Sequence, residues 1–340
     1  MTPRERVYAS IRRQPLDAIP WQFDLTSAAA DRLKNHYGTS DLHTALGDHV
    51  VYTSAAPYPV QADVTLDPGS VRDEFGAVWR REASDKNYGD WGELVSTPLS
   101  EPQLNGYVFP DGTLTGRWGH LPELRKKHPD RFIMVVGSAL FERGWSLFGF
   151  ENYLGHLASD PSLIEEVNEQ ITNYTVQLTL QLKGMGVDGI RFGDDWGFQH
   201  SLMLRPEQWR TLFKKYYRRI YAAAREAGLV VAIHSCGNII DIIPDCIEIG
   251  VEVIHPLQPE SMDVAFCQRE FGKDVAFWGG LGSQSTIPNG TVAEVKREAL
   301  NRLQLFNGGG YILAPAGSVP TETPVENIVA IAEVAMQQLH

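Results

Sequence analysis

The apolar run Val230–Ile233 stops at His234-Ser235-Cys236-Gly237-Asn238. Residues two apart at the end of an extended run leave it on the same side. His234 and Cys236 thus offer an imidazole nitrogen and a sulfur together, and both are good zinc ligands. Gly237 permits a tight turn and Asn238 can cap a following helix. The same spacing also suits a buried histidine beside an inert thiol, so spacing alone leaves both readings open.

A second apolar run, Gly189–Phe192, ends in Gly193-Asp194-Asp195-Trp196-Gly197. Two adjacent carboxylates there are costly if both are buried and charged; they call for a metal, an arginine or a raised pKa. Arg191, Arg143 or a metal are the available partners. Successive residues of an extended chain point to opposite sides, so one aspartate should face a ligand while the other holds the loop. A loop cap with one solvated aspartate is the plainer alternative.

Other residues sit at comparable places. Glu142 and Arg143 follow the run Phe132–Gly137 and either line a site or form a structural ion pair. His255 ends Val253-Ile254, with Gln258 close behind. Gly279-Gly280-Leu281-Gly282 lets a ligand approach the backbone and leads to Gln284, but no Lys-Ser/Thr follows to make a phosphate loop. Pro315-Ala316-Gly317-Ser318 carries nothing ionisable before Glu322, which reads as opening the last helix. Cys246 and Cys267 have apolar-face spacing and read as core. Asp194, Asp195 and Glu142 are therefore the catalytic candidates. Arg143, Trp196, His255, Gln258 and Gln284 are the substrate-binding ones, and His234 and Cys236 the metal ligands.

The elements that must position these residues have a regular rhythm. From Phe132 onward, short strands alternate with helices: Phe132–Gly137, Gly189–Phe192, Leu229–Ile233, Val251–Ile254, Val275–Trp278 and Tyr311–Leu313. Several intervening helices, such as Pro206–Ala227 and Val292–Phe306, stop at glycine. Upstream, Ile19–Leu25 reads as a strand, and Pro3–Arg13 as a helix capped by Thr2 with Glu5. Residues 47–119 break the rhythm with short β-like runs (His49–Thr53, Val60–Leu66, Phe75–Arg80) between turns, and read as a hairpin-rich insertion. The pattern predicts an α/β chain, a (β/α)8 TIM barrel forming one domain over residues 1–340. No G-x-G-x-x-G follows a strand, so no dinucleotide crevice is marked. In such a barrel the site lies at the carboxyl ends of the strands, where all the residues above fall.

Composition narrows the partners. Of 340 residues, 43% are hydrophobic and 10% aromatic, which excludes global disorder. The net charge of −12 repels phosphate backbones and anionic lipid, so neither nucleic acid nor membrane is an expected partner. The basic stretch Arg205–Arg219 has helical spacing and reads as a solvated face. No signal-peptide core and no run of about 20 apolar residues occurs, so a cytoplasmic protein is expected. Three cysteines argue against a disulfide framework.

Several co-linear motifs resemble the uroporphyrinogen decarboxylase superfamily, in its methyltransferase-like branch. They are Thr2–Val7, Asp17–Pro20, Phe141–Leu147 with Glu151-Asn152, Gly193–Gly197, His234–Gly237, Pro256–Gln258, Trp278–Gly280 and Thr323–Ile328. The resemblance implies a (β/α)8 barrel. It also implies a zinc methyltransferase that moves a methyl group between a donor, a corrinoid on a partner protein and a thiol such as coenzyme M. The family's H-x-C pair supplies two zinc ligands, matched by His234 and Cys236. Its third ligand, a cysteine before the last helix, falls at Gly317 here, so a third must come from Asp194, Asp195, Glu142 or His255, or the metal is lost. The tetrapyrrole decarboxylases carry an arginine-rich stretch near the N-terminus. Here that stretch is Trp21–Thr26, without arginine, so a substrate bearing many carboxylates is not expected.

The expected function is thus metal-dependent, corrinoid-linked methyl transfer from or to a small ether or thiol. A metal-free decarboxylase or lyase using the same mouth is the alternative, and a barrel that only binds a small ligand is the non-enzymatic one. A second copy of the chain, in a homodimer, is carried as a further partner.

Overall fold

The computed structural model describes residues 1–58, 66–67, 69–80 and 92–339. Ten strands are described: β1 (Val50–Ser54), β2 (Ser70–Arg72), β3 (Val78–Arg80), β4 (Glu93–Ser96), β5 (Phe132–Val136), β6 (Gly189–Phe192), β7 (Val230–His234), β8 (Val253–Leu257), β9 (Ala276–Leu281) and β10 (Tyr311–Pro315). Seven of them form one parallel sheet in the order β1-β5-β6-β7-β8-β9-β10. The segment Pro20–Gln22 closes it. Leu313 N–H donates to Pro20 O, Gln22 N–H to Leu313 O and His49 N–H to Trp21 O. The architecture is a (β/α)8 barrel whose eighth stave is reduced to isolated bridges, Trp21 to Leu313 and Leu25 to Val319. The expected strand Ile19–Leu25 is that short because Pro20 has no N–H to give a ladder and Phe23 N–H goes to the Asp48 carboxylate.

Alternation along the strands sorts two apolar clusters. Val50, Phe132, Met134, Val230, Ala232, Val253, Ala276, Trp278, Ile312 and Ala314 form the barrel interior, joined by Val7 and Ile11 of the first helix. The alternate residues, such as Val135, Ile190, Val231, Ile233 and Phe277, pack under the helices. The first helix, Pro3–Ile11, starts with the Thr2/Glu5 capping box. It lies across the N-terminal ends of the strands. Arg4 and Tyr8 reach Asp188, just before β6, and Ser10 pairs with both backbone groups of Tyr311 at the start of β10.

Some boundaries differ from the sequence reading. The residues after the Phe132–Gly137 run form a helix, Phe141–Phe148, so Glu142 and Arg143 lie in its first turn. The helix expected over Pro206–Ala227 contains a π turn at Arg210–Lys214. β8 runs on to Leu257, which puts His255 inside a strand. Between β1 and β5, β2-β3-β4 form a small antiparallel sheet. It is tied to the barrel by Arg143–Asp73 at 2.6 Å and stabilised by Arg117–Glu74 at 2.8 Å. Residues 60–65 of the expected run Val60–Leu66 lie outside the described residues. Among the described residues no helix is long and apolar enough to cross a membrane.

Candidate functional site

His234 is the last residue of β7, on the inward parity of Val230 and Ala232, and its Cα partner across the sheet is His255 of β8. The two Nδ1 atoms are 2.8 Å apart, so one ring donates and the other accepts. This contact orients His234 and leaves its Nε2 to the opposite side, 3.5 Å from Cys236 Sγ and 3.6 Å from Asp195 Oδ1. Burial lowers the pKa of His234, so it is neutral, the form that ligates a metal.

The loops after β6 and β7 are stitched to each other. Cys236 N–H donates to Asp195 Oδ1 at 2.8 Å, and Trp196 N–H to Ser235 Oγ at 2.9 Å. Gly237 N–H donates to the Gln258 side chain at 2.9 Å. Gly237 has φ +81°, and a Cβ there would collide with the Gly197 backbone, so both conformation and space demand glycine.

Asp195, His234 and Cys236 each offer a donor atom within 4.8 Å of the other two, the one such group of three among the described residues. Zinc bonds of about 2.0–2.3 Å in a tetrahedron place neighbouring donors roughly 3.3–3.8 Å apart. The His–Cys and His–Asp separations of 3.5 and 3.6 Å fall in that range, so the residues present fit the ion. Without a cation, burial and the charges of Asp195 and Glu142 push the Cys236 thiol up. A divalent ion reverses that balance.

Asp194 is turned away from this group. It has φ +148° and no exposed surface. Its Oδ2 accepts from Leu140 N–H, Phe141 N–H and the Tyr217 hydroxyl at 2.7, 3.0 and 2.6 Å, and its Oδ1 from Glu142 N–H at 2.7 Å. It therefore caps the helix Phe141–Phe148, which has no side-chain cap of its own. Burial pushes the Asp194 carboxyl up to about 6, opposed by these donors. Glu142, raised well above the usual range by burial and by the two aspartates, sits beside Gly193 near Asp195.

The other candidates divide. His255 and Gln258 support the H-x-C turn as described. Arg143 is engaged with Asp73 and lies over the Phe75 ring, at the attachment of the small sheet. Trp196 is buried against Trp209 and Tyr217, and its indole N–H donates to the Tyr217 hydroxyl. Gln284 is exposed, with its backbone N–H on Glu260. Three inward residues stand out that were not among the site candidates: Tyr52, Arg191 and Trp278. Strand parity could have found them, since each lies two residues after an interior position.

The chain is 24% identical over 250 residues to the methylated-thiol–coenzyme M methyltransferase of Methanosarcina mazei, covering 71% of this chain and 65%, just under two thirds, of that relative's length. It is 21% identical to a methylcobamide:CoM methyltransferase of the same organism, across 98% of this chain and 97% of that one. A solved methyltransferase from Methanosarcina mazei superposes over 100% of both chains with a TM-score of 0.76 at 17% identity, which shows a shared fold. The family model described as uroporphyrinogen decarboxylase (URO-D) matches residues 138–338. Those residues run from the exit of β5 to the end of the last helix and carry Asp195, His234 and Cys236, and by this match the chain belongs to the uroporphyrinogen decarboxylase family.

Proposed function

We propose that this protein is a zinc-dependent methyltransferase that moves a methyl group between a corrinoid carried by a partner protein and a small thiol. The observation that carries this reading is the convergence of Asp195, His234 and Cys236 on one point at the barrel mouth. The names of the relatives support the reaction class. Asp195 takes the place of the cysteine that the family has where Gly317 stands here.

Asp195, His234 and Cys236 would hold the ion, leaving a position for substrate, as catalytic zinc sites do. The bound ion would supply Lewis acidity that favours a thiolate at neutral pH. His255 holds the His234 ring in place, and Gln258 holds the turn that presents Cys236. Glu142, buried beside Asp195, would take or return the thiol proton. In the thiol-methylating direction the thiol would give up its S–H proton as its sulfur gains the methyl group, which the partner's corrinoid would supply while keeping the former bonding pair.

The test is metal per chain after zinc reconstitution and dialysis, in wild type and Cys236→Ser, followed by methyl transfer from a methylated corrinoid protein to a thiol. About one zinc per wild-type chain, lost in the variant, is expected. Wild-type protein that retains no zinc overturns the metal reading.

A further inference from the structure

Asp195 belongs to the donor group, yet 38% of its side-chain surface is exposed and it stands in the short loop that leaves β6. A partly exposed carboxylate keeps one direction only if the chain that carries it is held. Here the residues on both sides of it are held by one atom. The Tyr217 hydroxyl donates to Asp194 Oδ2 at 2.6 Å and accepts from the Trp196 indole N–H at 2.9 Å. A single buried oxygen therefore brackets Asp195, through Asp194 before it and Trp196 after it.

Both neighbours steer Asp195. Asp194 has φ +148°, which residues other than glycine rarely adopt and which persists only where the surroundings fix it. That conformation sends two adjacent carboxylates different ways. Asp194 Oδ1 goes to Glu142 N–H at the helix start, and Asp195 Oδ1 goes to Cys236 N–H at 2.8 Å. Trp196 N–H donates to Ser235 Oγ, which ties the far side of Asp195 to the turn that presents Cys236. The π turn at Arg210–Lys214 delivers Tyr217 to this place. It takes in one extra residue and so turns the helix Lys215–Glu226 by about 100° from the course of a continuous α-helix. The Tyr217 ring then stacks on Trp209 at 5.7 Å and meets Trp196 at 5.0 Å, which fixes its hydroxyl.

We infer that Tyr217 is a positioning residue for Asp195: through Asp194 and Trp196 it aims that carboxylate at the point shared with His234 and Cys236. What Asp195 is aimed at rests on the proposed metal group; the aiming itself rests on the two hydrogen bonds of Tyr217 and the φ of Asp194. Tyr221, one turn further along the same helix, is equally buried and its hydroxyl has no hydrogen-bond partner, so it serves as the control.

The test measures zinc affinity by chelator competition, and hydrogen exchange of the Cys236 amide in metal-stripped protein. Tyr217→Phe keeps the stacked ring and leaves Asp194 its three backbone donors. It should weaken zinc about tenfold, the scale of a partner one bond behind a ligand, and speed the amide exchange severalfold. Tyr221→Phe should change neither. In an Asp195→Asn background Tyr217→Phe should cost less than about twofold, because the donor it aims has been weakened; a merely structural role would cost the same in both backgrounds. Trp196→Phe, which removes one of the two bonds, should act in the same direction and decides the matter if Tyr217→Phe does not fold. Where zinc binds, affinity decides: wild-type affinity in Tyr217→Phe, an equal loss in both Asp195 backgrounds, or an equal loss in Tyr221→Phe overturns the inference and leaves the metal reading standing. Where wild type binds no zinc, the metal reading falls and the amide decides: faster exchange in Tyr217→Phe alone keeps the aiming of Asp195, and unchanged exchange overturns it.

Discussion

His234 and His255 face each other across β7 and β8, with Nδ1 atoms 2.8 Å apart. A metal on His234 Nε2 leaves the Nδ1 proton to be donated to His255. Partners of this kind, one bond behind a ligand, are commonly worth 10–100-fold in metal affinity. His255→Phe keeps a ring but removes the acceptor, and should weaken zinc binding by about tenfold or more. His255→Gln should recover part of the loss. Competition against a chromogenic chelator measures both; unchanged affinity in His255→Phe would show that the contact does no orienting.

The neighbours Asp194 and Asp195 should separate on mutation. Asp195→Asn should lower metal affinity with little change in unfolding free energy, because Asp195 is a partly exposed member of the donor group. Asp194→Asn replaces an oxygen that accepts from the helix start with an amide N–H, and should cost roughly 2–4 kcal/mol. Urea unfolding and metal content, measured on both variants, give a crossed pattern. Equal effects of the two substitutions on both readouts would contradict this division of labour.

His49 predicts a pH dependence. It is buried beneath Trp21 with Arg6 beside it, and burial first, then that positive charge, hold its imidazole at about 3, against an ordinary value of 6.5. The unfolded chain therefore binds a proton that the folded chain refuses. Stability is fully present above about 6.5 and declines as pH falls toward about 3, by about 1.4 kcal/mol per pH unit from this one group. His49→Asn should flatten the fall between pH 6 and 4. Urea midpoints at pH 7, 6, 5 and 4 would show it; parallel profiles for wild type and variant would refute the assignment.

Arg143 and Asp73 join the small antiparallel sheet to the helix after β5. Arg143→Ala should increase proteolytic cleavage within residues 69–80 and 92–96 while leaving the barrel's own unfolding nearly unchanged. A double-mutant cycle with Asp73→Ala should give a coupling of about 1 kcal/mol, near the upper end for incompletely buried pairs. Cleavage rates identical to wild type would mean that other contacts hold the sheet.

Barrel strands were legible because most are short apolar runs between a helix that stops at glycine and a polar exit, as in Gly189–Phe192. The juxtaposition of His234 and Cys236 was legible for the same reason: the two share a parity at a strand end. The eighth stave was not, since Pro20 disrupts the ladder and isolated bridges at Trp21 and Leu25 do the closing. Nor could sequence choose between Asp194 and Asp195, because a positive φ at Asp194 decides which carboxylate turns to the helix and which to the cysteine. Trp196 was overread: a tryptophan beside two aspartates looks like a ligand contact, but the π turn region and Tyr217 give it a buried partner. Arg191 was underread: inside a four-residue strand it looked like a counter-ion for its neighbours, but its guanidinium meets Tyr52 and His255.

The helix Pro3–Ile11 seals the floor of the barrel, with Val7 and Ile11 in the interior cluster and Arg4 and Tyr8 fastened to Asp188. With that end sealed, the strand-end group can be reached only from the opposite, carboxyl end of the barrel. If the proposed methyl transfer holds, a protein-sized carrier docked at that end would block it. The small reactant would then have to be seated before the carrier arrives, and its product would depart only after the carrier has withdrawn. An excess of carrier would slow such a reaction when the small reactant is scarce.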